Sequence, residues 1–114
     1  MTRIELPWPP QQLSPNARVH WSEAARKKAR CRKDAFYLAR ANGAPSFDGR
    51  VSVSITFRPP DNRKRDLDNM LAANKAHLDG IADFIGVDDS NWSISIKRGE
   101  PVKYGAVIVE LEAA

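Results

Sequence analysis

Val51-Ser52-Val53-Ser54-Ile55-Thr56-Phe57-Arg58 decides the fold. Valine, isoleucine and phenylalanine stand at every second position, with serine, threonine and arginine between them. That is the period of a strand with one face buried. Pro59 and Pro60 end it, because neither can donate a ladder hydrogen bond. The next apolar pattern has a different period. From about Asp66 to Ile85, the residues Leu67, Met70, Leu71, Leu78, Ile81 and Ile85 make a core-facing helical stripe, closed by Gly86. A half-buried strand followed by an amphipathic helix predicts a sheet with helices packed on it.

The flanking sequence extends the pattern. Residues 2–6 read as a short strand stopped by Pro7, Pro9 and Pro10, and residues 11–21 as a loop. Ser22 is placed to cap a helix that runs to about Asn42, with Glu23 at its positive end, Gly43 at its stop, and Ala24, Cys31, Ala35 and Leu38 on its apolar side. Trp92, Ile94 and Ile96 mark a further strand, with Trp92 in the core, and Gly99 and Pro101 turn the chain. Residues 104–112 form the last strand, where Val107, Val109 and Leu111 share a face. The expectation is an α+β fold: one domain over residues 1–114, in the order β-α-β-α-β-β, with a mixed sheet and two main helices packed on it.

A single cysteine, Cys31, excludes an internal disulfide, and no Cys/His cluster has zinc spacing. The N-terminus lacks the apolar run of a signal peptide, and no stretch is long and apolar enough for a membrane span. A cytoplasmic protein with no membrane partner is expected. Eighteen Lys and Arg against fourteen Asp and Glu give a net charge of +4, compatible with nucleic acid but too small to establish it.

The placement of charge says more than its sum. Arg63, Lys64 and Arg65 lead directly into Asp66-Leu67-Asp68-Asn69, and a second acidic pair, Asp88-Asp89, follows the helix. On a continuous helix, Asp68, Ala72, Lys75 and Asp79 share the face opposite the Leu/Ile stripe. Carboxylates suit a hard cation, and cations beside them suit a phosphate backbone. If the chain returns Asp89 to the head of the helix, Asp66, Asp68 and Asp89 can share Mg²⁺, with Mn²⁺ as a substitute, for phosphodiester hydrolysis. Each residue also has a plain structural use. Aspartates cap helices and turns, and Lys75 with Asp79 is an ordinary i,i+4 pair.

Taken together, Leu6-Pro7-Trp8-Pro9-Pro10, Arg65-Asp66-Leu67-Asp68-Asn69, the segment from Lys75 to Leu78-Asp79, and Asp88-Asp89-Ser90 resemble the RusA family of Holliday-junction resolvases over essentially the whole chain. The resemblance implies a homodimer that makes paired, magnesium-dependent nicks in four-way DNA junctions. It implies Asp66, Asp68 and Asp89 as metal-binding catalytic carboxylates, Lys75 as the catalytic lysine, and Arg65 as a DNA contact. Asp88 receives no role. The lysine here follows the second aspartate of the motif by seven residues, where the family pattern has four.

Cations elsewhere extend the expected DNA surface. Arg26, Arg30, Lys33 and Arg40 form a basic stripe on the first helix, with Arg18 before it; with Arg63 and Lys64 they are candidates for phosphate contact. His77 reads as a surface residue, and His20 as a loop residue near phosphate. The rival readings are a DNA-binding protein without catalysis and a metal nuclease acting on other branched DNA.

Overall fold

The computed structural model describes residues 1–114. Four strands and three helices follow one another: β1 (Thr2–Pro7), α1 (Trp21–Ala41), β2 (Val51–Arg58), α2 (Leu67–Ala73), α3 (Lys75–Ile85), β3 (Trp92–Arg98) and β4 (Ala106–Ala113). The strands lie in the order β1-β4-β2-β3. The pairs β1–β4 and β4–β2 are antiparallel, whereas β2 and β3 run parallel. Helices α2 and α3 therefore make the crossover that a parallel neighbour requires. The result is a single α+β domain with a mixed sheet.

The alternation of β2 does what its period dictates. Val51, Val53, Ile55 and Phe57 are fully buried, while the residues between them are partly exposed. Ile4 and Leu6 of β1 and Val107, Val109 and Leu111 of β4 continue the same face. Ala35 and Ala39 of α1 and Leu78, Ile81 and Ile85 of α3 close the core over it. Trp92 is buried, as expected, and donates its indole N–H to the Val87 carbonyl at 3.0 Å. Cys31 is buried as well. Ile108 is buried on the other face of β4, which the alternation did not anticipate. No helix is long and apolar enough to cross a membrane.

The expected single helix from Asp66 to Ile85 is two helices. The break is Asn74, which is completely buried with φ −98° and ψ 5°. Its amide donates to the Met70 carbonyl at 2.8 Å, and its carbonyl oxygen lies 3.2 Å from His77 Nδ1. A side chain that bonds the backbone behind it competes with the helical ladder. The fold therefore has three helices rather than two. Asp68 and Lys75 stand on different helices, so the continuous face drawn through them is interrupted.

His77 is 2 % exposed, against the surface position expected for it. The surface expectation failed because a buried polar partner, Asn74, satisfies a core histidine. Burial pushes the imidazole below its usual range. The neutral form is the folded form, so the unfolded chain binds the proton more readily. The stabilisation is complete above about pH 6.5 and is lost as pH falls through the lowered folded-state value, with a slope of up to about 1.4 kcal/mol per pH unit. Urea midpoints measured across that range should drop on acidification, and His77→Gln should flatten the drop. An equal slope in both proteins would assign the acid sensitivity elsewhere.

Smaller differences concern helix ends. His20, not Ser22, caps α1: its Nδ1 accepts from the Ser22 N–H at 3.2 Å. The ring is thereby occupied in capping, whatever else it meets. The helix stops at Ala41, with Asn42 as its C-cap and Gly43 at φ 70°. The last strand begins at Ala106 because Tyr104 and Gly105 turn the chain with positive φ.

Candidate active site and nucleic-acid interface

The loop from β2 to α2 carries the acidic motif at the carboxyl end of a strand in a parallel pair, where α/β units expose their sites. Its scaffold is Arg65. The guanidinium donates to Asp61 Oδ1 at 2.8 Å and lies 5.6 Å from the centre of the Trp8 ring. Arg98 of β3 donates to the Arg65 carbonyl at 2.5 Å. Arg65 is thus a partly buried tie between the Trp8-Pro9-Pro10 segment, the loop and β3, rather than a free cation. Asp61 accepts from the Arg63 N–H at 3.0 Å as well, and these bonds, that from Arg65 first, hold its carboxyl below the usual range. Sequence reading passed over Asp61. Its signal was a lone acid four residues before Arg65 in a stretch otherwise basic.

An open cleft of about 710 Å³ lies between these segments. Trp8, Gln11, Arg63, Lys64, Arg65 and Asp66 are among the residues that line it. Arg63 and Lys64 are exposed at its lip. A short 3-10 turn, Gln11–Leu13, brings the N-terminal segment to this wall. On α1, Arg26, Arg30 and Lys33 are exposed, as is Arg18 ahead of it. Arg30 has a loose partner in Asp34 at 3.9 Å. Arg32, in contrast, is locked to Asp83 of α3 through two bonds of 2.6 and 2.8 Å.

Asp66 is the N-cap residue of α2, yet its side chain makes no capping bond. Asp68 lies in the first turn, where one oxygen accepts from the Asn69 N–H at 3.0 Å. Both are exposed and neither forms an ion pair, although three cations precede them directly. The nearby arginines turn instead to Asp61. Two carboxylates left uncompensated at the edge of a basic cleft are oxygen donors of the kind Mg²⁺ takes, and Mg²⁺ binds through one or two carboxylates while keeping its waters.

Asp89 is held elsewhere. Lys75, the first residue of α3, bonds Asp79 at 2.7 Å and also bonds Asp89, so the ammonium bridges two carboxylates. Those bonds, to Asp79 first and Asp89 second, raise the lysine above its usual range and keep it charged. Asp88 has a structural duty: it accepts from the Ser90 N–H at 3.0 Å and caps the 3-10 turn Asp89–Asn91. Its bonds to Ser90 hold its carboxyl low. The acidic residues thus differ in their partners: Asp66 and Asp68 at the head of α2 have no ion pair, whereas Asp79 and Asp89 share Lys75. No three Asp, Glu, His or Cys side chains gather at metal-ligating spacing. The donor chemistry fits a hard cation through Asp66 and Asp68; the third expected ligand, Asp89, is engaged by Lys75.

No protein-family model matches the chain. A protein of Xylella fastidiosa (strain Temecula1 / ATCC 700964), described as an uncharacterized protein, is 43 % identical over 96 residues, which cover 81 % of this chain. The match spans 63 % of that relative's length.

Proposed function

We propose that the chain is a metal-dependent endonuclease that resolves four-way DNA junctions as a homodimer. The observation that carries this reading is the pair Asp66 and Asp68, exposed and unpaired beside the basic cleft. Such a pair is unfavourable beside phosphate unless a cation joins it. The resemblance of the motif to the RusA family supports the substrate, and two symmetric nicks require two copies of a chain with one such pair.

In this reading Arg63, Lys64 and the α1 stripe hold the phosphate backbone without reading bases. Asp66 and Asp68 hold the cation. Bound there, Mg²⁺ or Mn²⁺ supplies a water of lowered pKa and offsets charge on the reacting phosphate. Lys75 remains protonated, since Asp79 and Asp89 fix its charge, so it acts as an electrostatic group and not as a base.

The engagement of Asp89 by Lys75 favours a second reading, a junction-binding protein without catalysis. Incubation of a labelled four-way junction with Mg²⁺ or with EDTA, beside duplex and flap controls, separates them. Paired symmetric nicks that require Mg²⁺ and spare the duplex are expected. Tight binding with no cleavage in any divalent ion would establish the second reading, and equal cutting of flaps would broaden the substrate.

A further inference from the structure

Tyr104 is the single non-glycine residue with positive φ, at 69°. The left-handed conformation crowds Cβ against the following carbonyl, and a bulky residue is found there when its surroundings hold it. Here the surroundings are evident. Gly105 follows at φ 73°, so close to the cleft wall that a Cβ would lie 2.9 Å from Trp8 Cβ and 3.1 Å from Pro60 Cδ. The Gly105 N–H donates to the Val102 carbonyl at 2.8 Å, and the Val102 N–H to the Pro59 carbonyl at 2.9 Å. The loop between β3 and β4 is pinned against Trp8, Pro59 and Pro60. Its tyrosine gains nothing from this by packing, for the residue is 80 % exposed. The Lys103 ammonium lies over the ring, 5.1 Å from its centre.

The same loop borders a second cleft, of about 580 Å³, lined by polar residues that include Arg63, Lys97, Arg98 and Glu100. Arg63 and Asp61 line both clefts, so the two adjoin at this loop. Lys97 has no ion pair, and Asp61 is already taken by Arg65 and Arg63. An exposed aromatic ring on a strained, anchored turn, with Lys103 against it and the unpaired Lys97 in the cleft that the same loop borders, has the composition of a single-strand stacking platform: cations follow phosphates while a ring takes a base face of any sequence.

We propose that the β3–β4 loop and the second cleft are a further nucleic-acid contact, in which Lys97 and Lys103 meet phosphates and Tyr104 stacks on a base left unpaired where strands part. This rests on the reading of the chain as a protein of branched DNA, and it locates where the branch is felt.

The test uses a four-way junction with 2-aminopurine at the branch point, titrated in Ca²⁺ so that binding is read apart from cleavage. The wild-type protein should change the fluorescence. Tyr104→Gly, which accommodates the positive φ without strain, should keep or raise the thermal midpoint, bind the junction roughly 10-fold more weakly, bind duplex unchanged and leave the fluorescence flat. Tyr104→Phe should match wild type. Lys97→Glu should weaken junction and duplex binding alike and lower the salt slope by about one. Wild-type affinity and fluorescence in a folded Tyr104→Gly protein would overturn this inference alone. A wild-type protein that binds neither DNA would overturn it together with the proposed function.

Discussion

On the proposed function, Asp68→Asn should leave the fold and junction binding in place and remove nicking. The side chain is exposed and bonds only the adjacent Asn69 N–H, which an asparagine oxygen also satisfies. The fold loses only the attraction of a negative charge to the first turn of α2, about 0.3–1 kcal/mol. Affinity for the junction in Ca²⁺-free buffer should hold or rise, since a carboxylate facing phosphate is neutralised. The rate should fall by more than 100-fold, beyond the roughly 10- to 100-fold typical of changes one shell removed from a metal. Excess Mn²⁺ should recover part of the loss if weakened cation binding is its cause. The measurement is single-turnover nicking of a labelled junction, beside a melting curve and a binding isotherm on the same preparation. Near-normal nicking by a folded Asp68→Asn protein would place the chemistry away from the head of α2.

That expectation depends on a contrast among acids that look alike in sequence. Asp61, Asp66, Asp68, Asp88 and Asp89 all stand in or near loops, the first three beside cations in the sequence. Folded, Asp61 anchors Arg65, Asp88 caps a turn, and Asp89 meets Lys75. Asp66 and Asp68 form no ion pair; Asp88 forms none either, but it is committed to capping the turn through the Ser90 N–H. Residual charge, more than the count of carboxylates, identifies where a cation would be favourable.

Burial explains which parts of the fold were legible beforehand. The faces of β2 and of α3 are imposed by a core that every residue of that face must enter, so a period of two or of 3.6 survives in the letters. Val51 to Phe57 and Leu78, Ile81 and Ile85 were found that way. Features built from single polar contacts leave no period. The break at Asn74 and the burial of His77 arise from one amide that serves both the backbone and an imidazole. The cap supplied by His20 competes with an equally plausible Ser22, and only the backbone angle of residue 20 decides between them. In the candidate site, the motif Asp66-Leu67-Asp68 stood out in the letters, and Arg65 was expected only as a DNA contact; its role as a tie between segments was not legible. Its partners Trp8, Asp61 and Arg98 come from three parts of the chain.

Gly80→Ala should be the most damaging single methyl in the molecule. A Cβ at residue 80 would stand 2.1 Å from the Arg32 carbonyl oxygen, 2.9 Å from its carbon and 3.0 Å from Ala35 Cβ. Helices α1 and α3 meet backbone to side there, and the Arg32–Asp83 bridge clamps the crossing beside it. A carbonyl in a helical ladder cannot rotate aside, so the helices must separate and loosen the core that Ala35, Ala39 and Ile81 share. In an isolated helix the substitution would instead gain about 1 kcal/mol. Overpacking of 1–3 kcal/mol or more opposes that gain, and with a backbone atom as the obstacle the upper end applies, so a net loss of about 2 kcal/mol follows. The thermal midpoint should then fall by roughly 10 °C. Urea unfolding with an unchanged slope would attribute the loss to the native contact and not to the unfolded chain. A midpoint that stays or rises would mean that propensity governs this position and that α1 does not rest on α3 at Gly80. Because α3 begins at Lys75, the displacement should also shift the ammonium that bridges Asp79 and Asp89. Gly80→Ala therefore joins packing to function: below its lowered midpoint the protein should still fold and bind DNA, yet nick junctions more slowly than wild type.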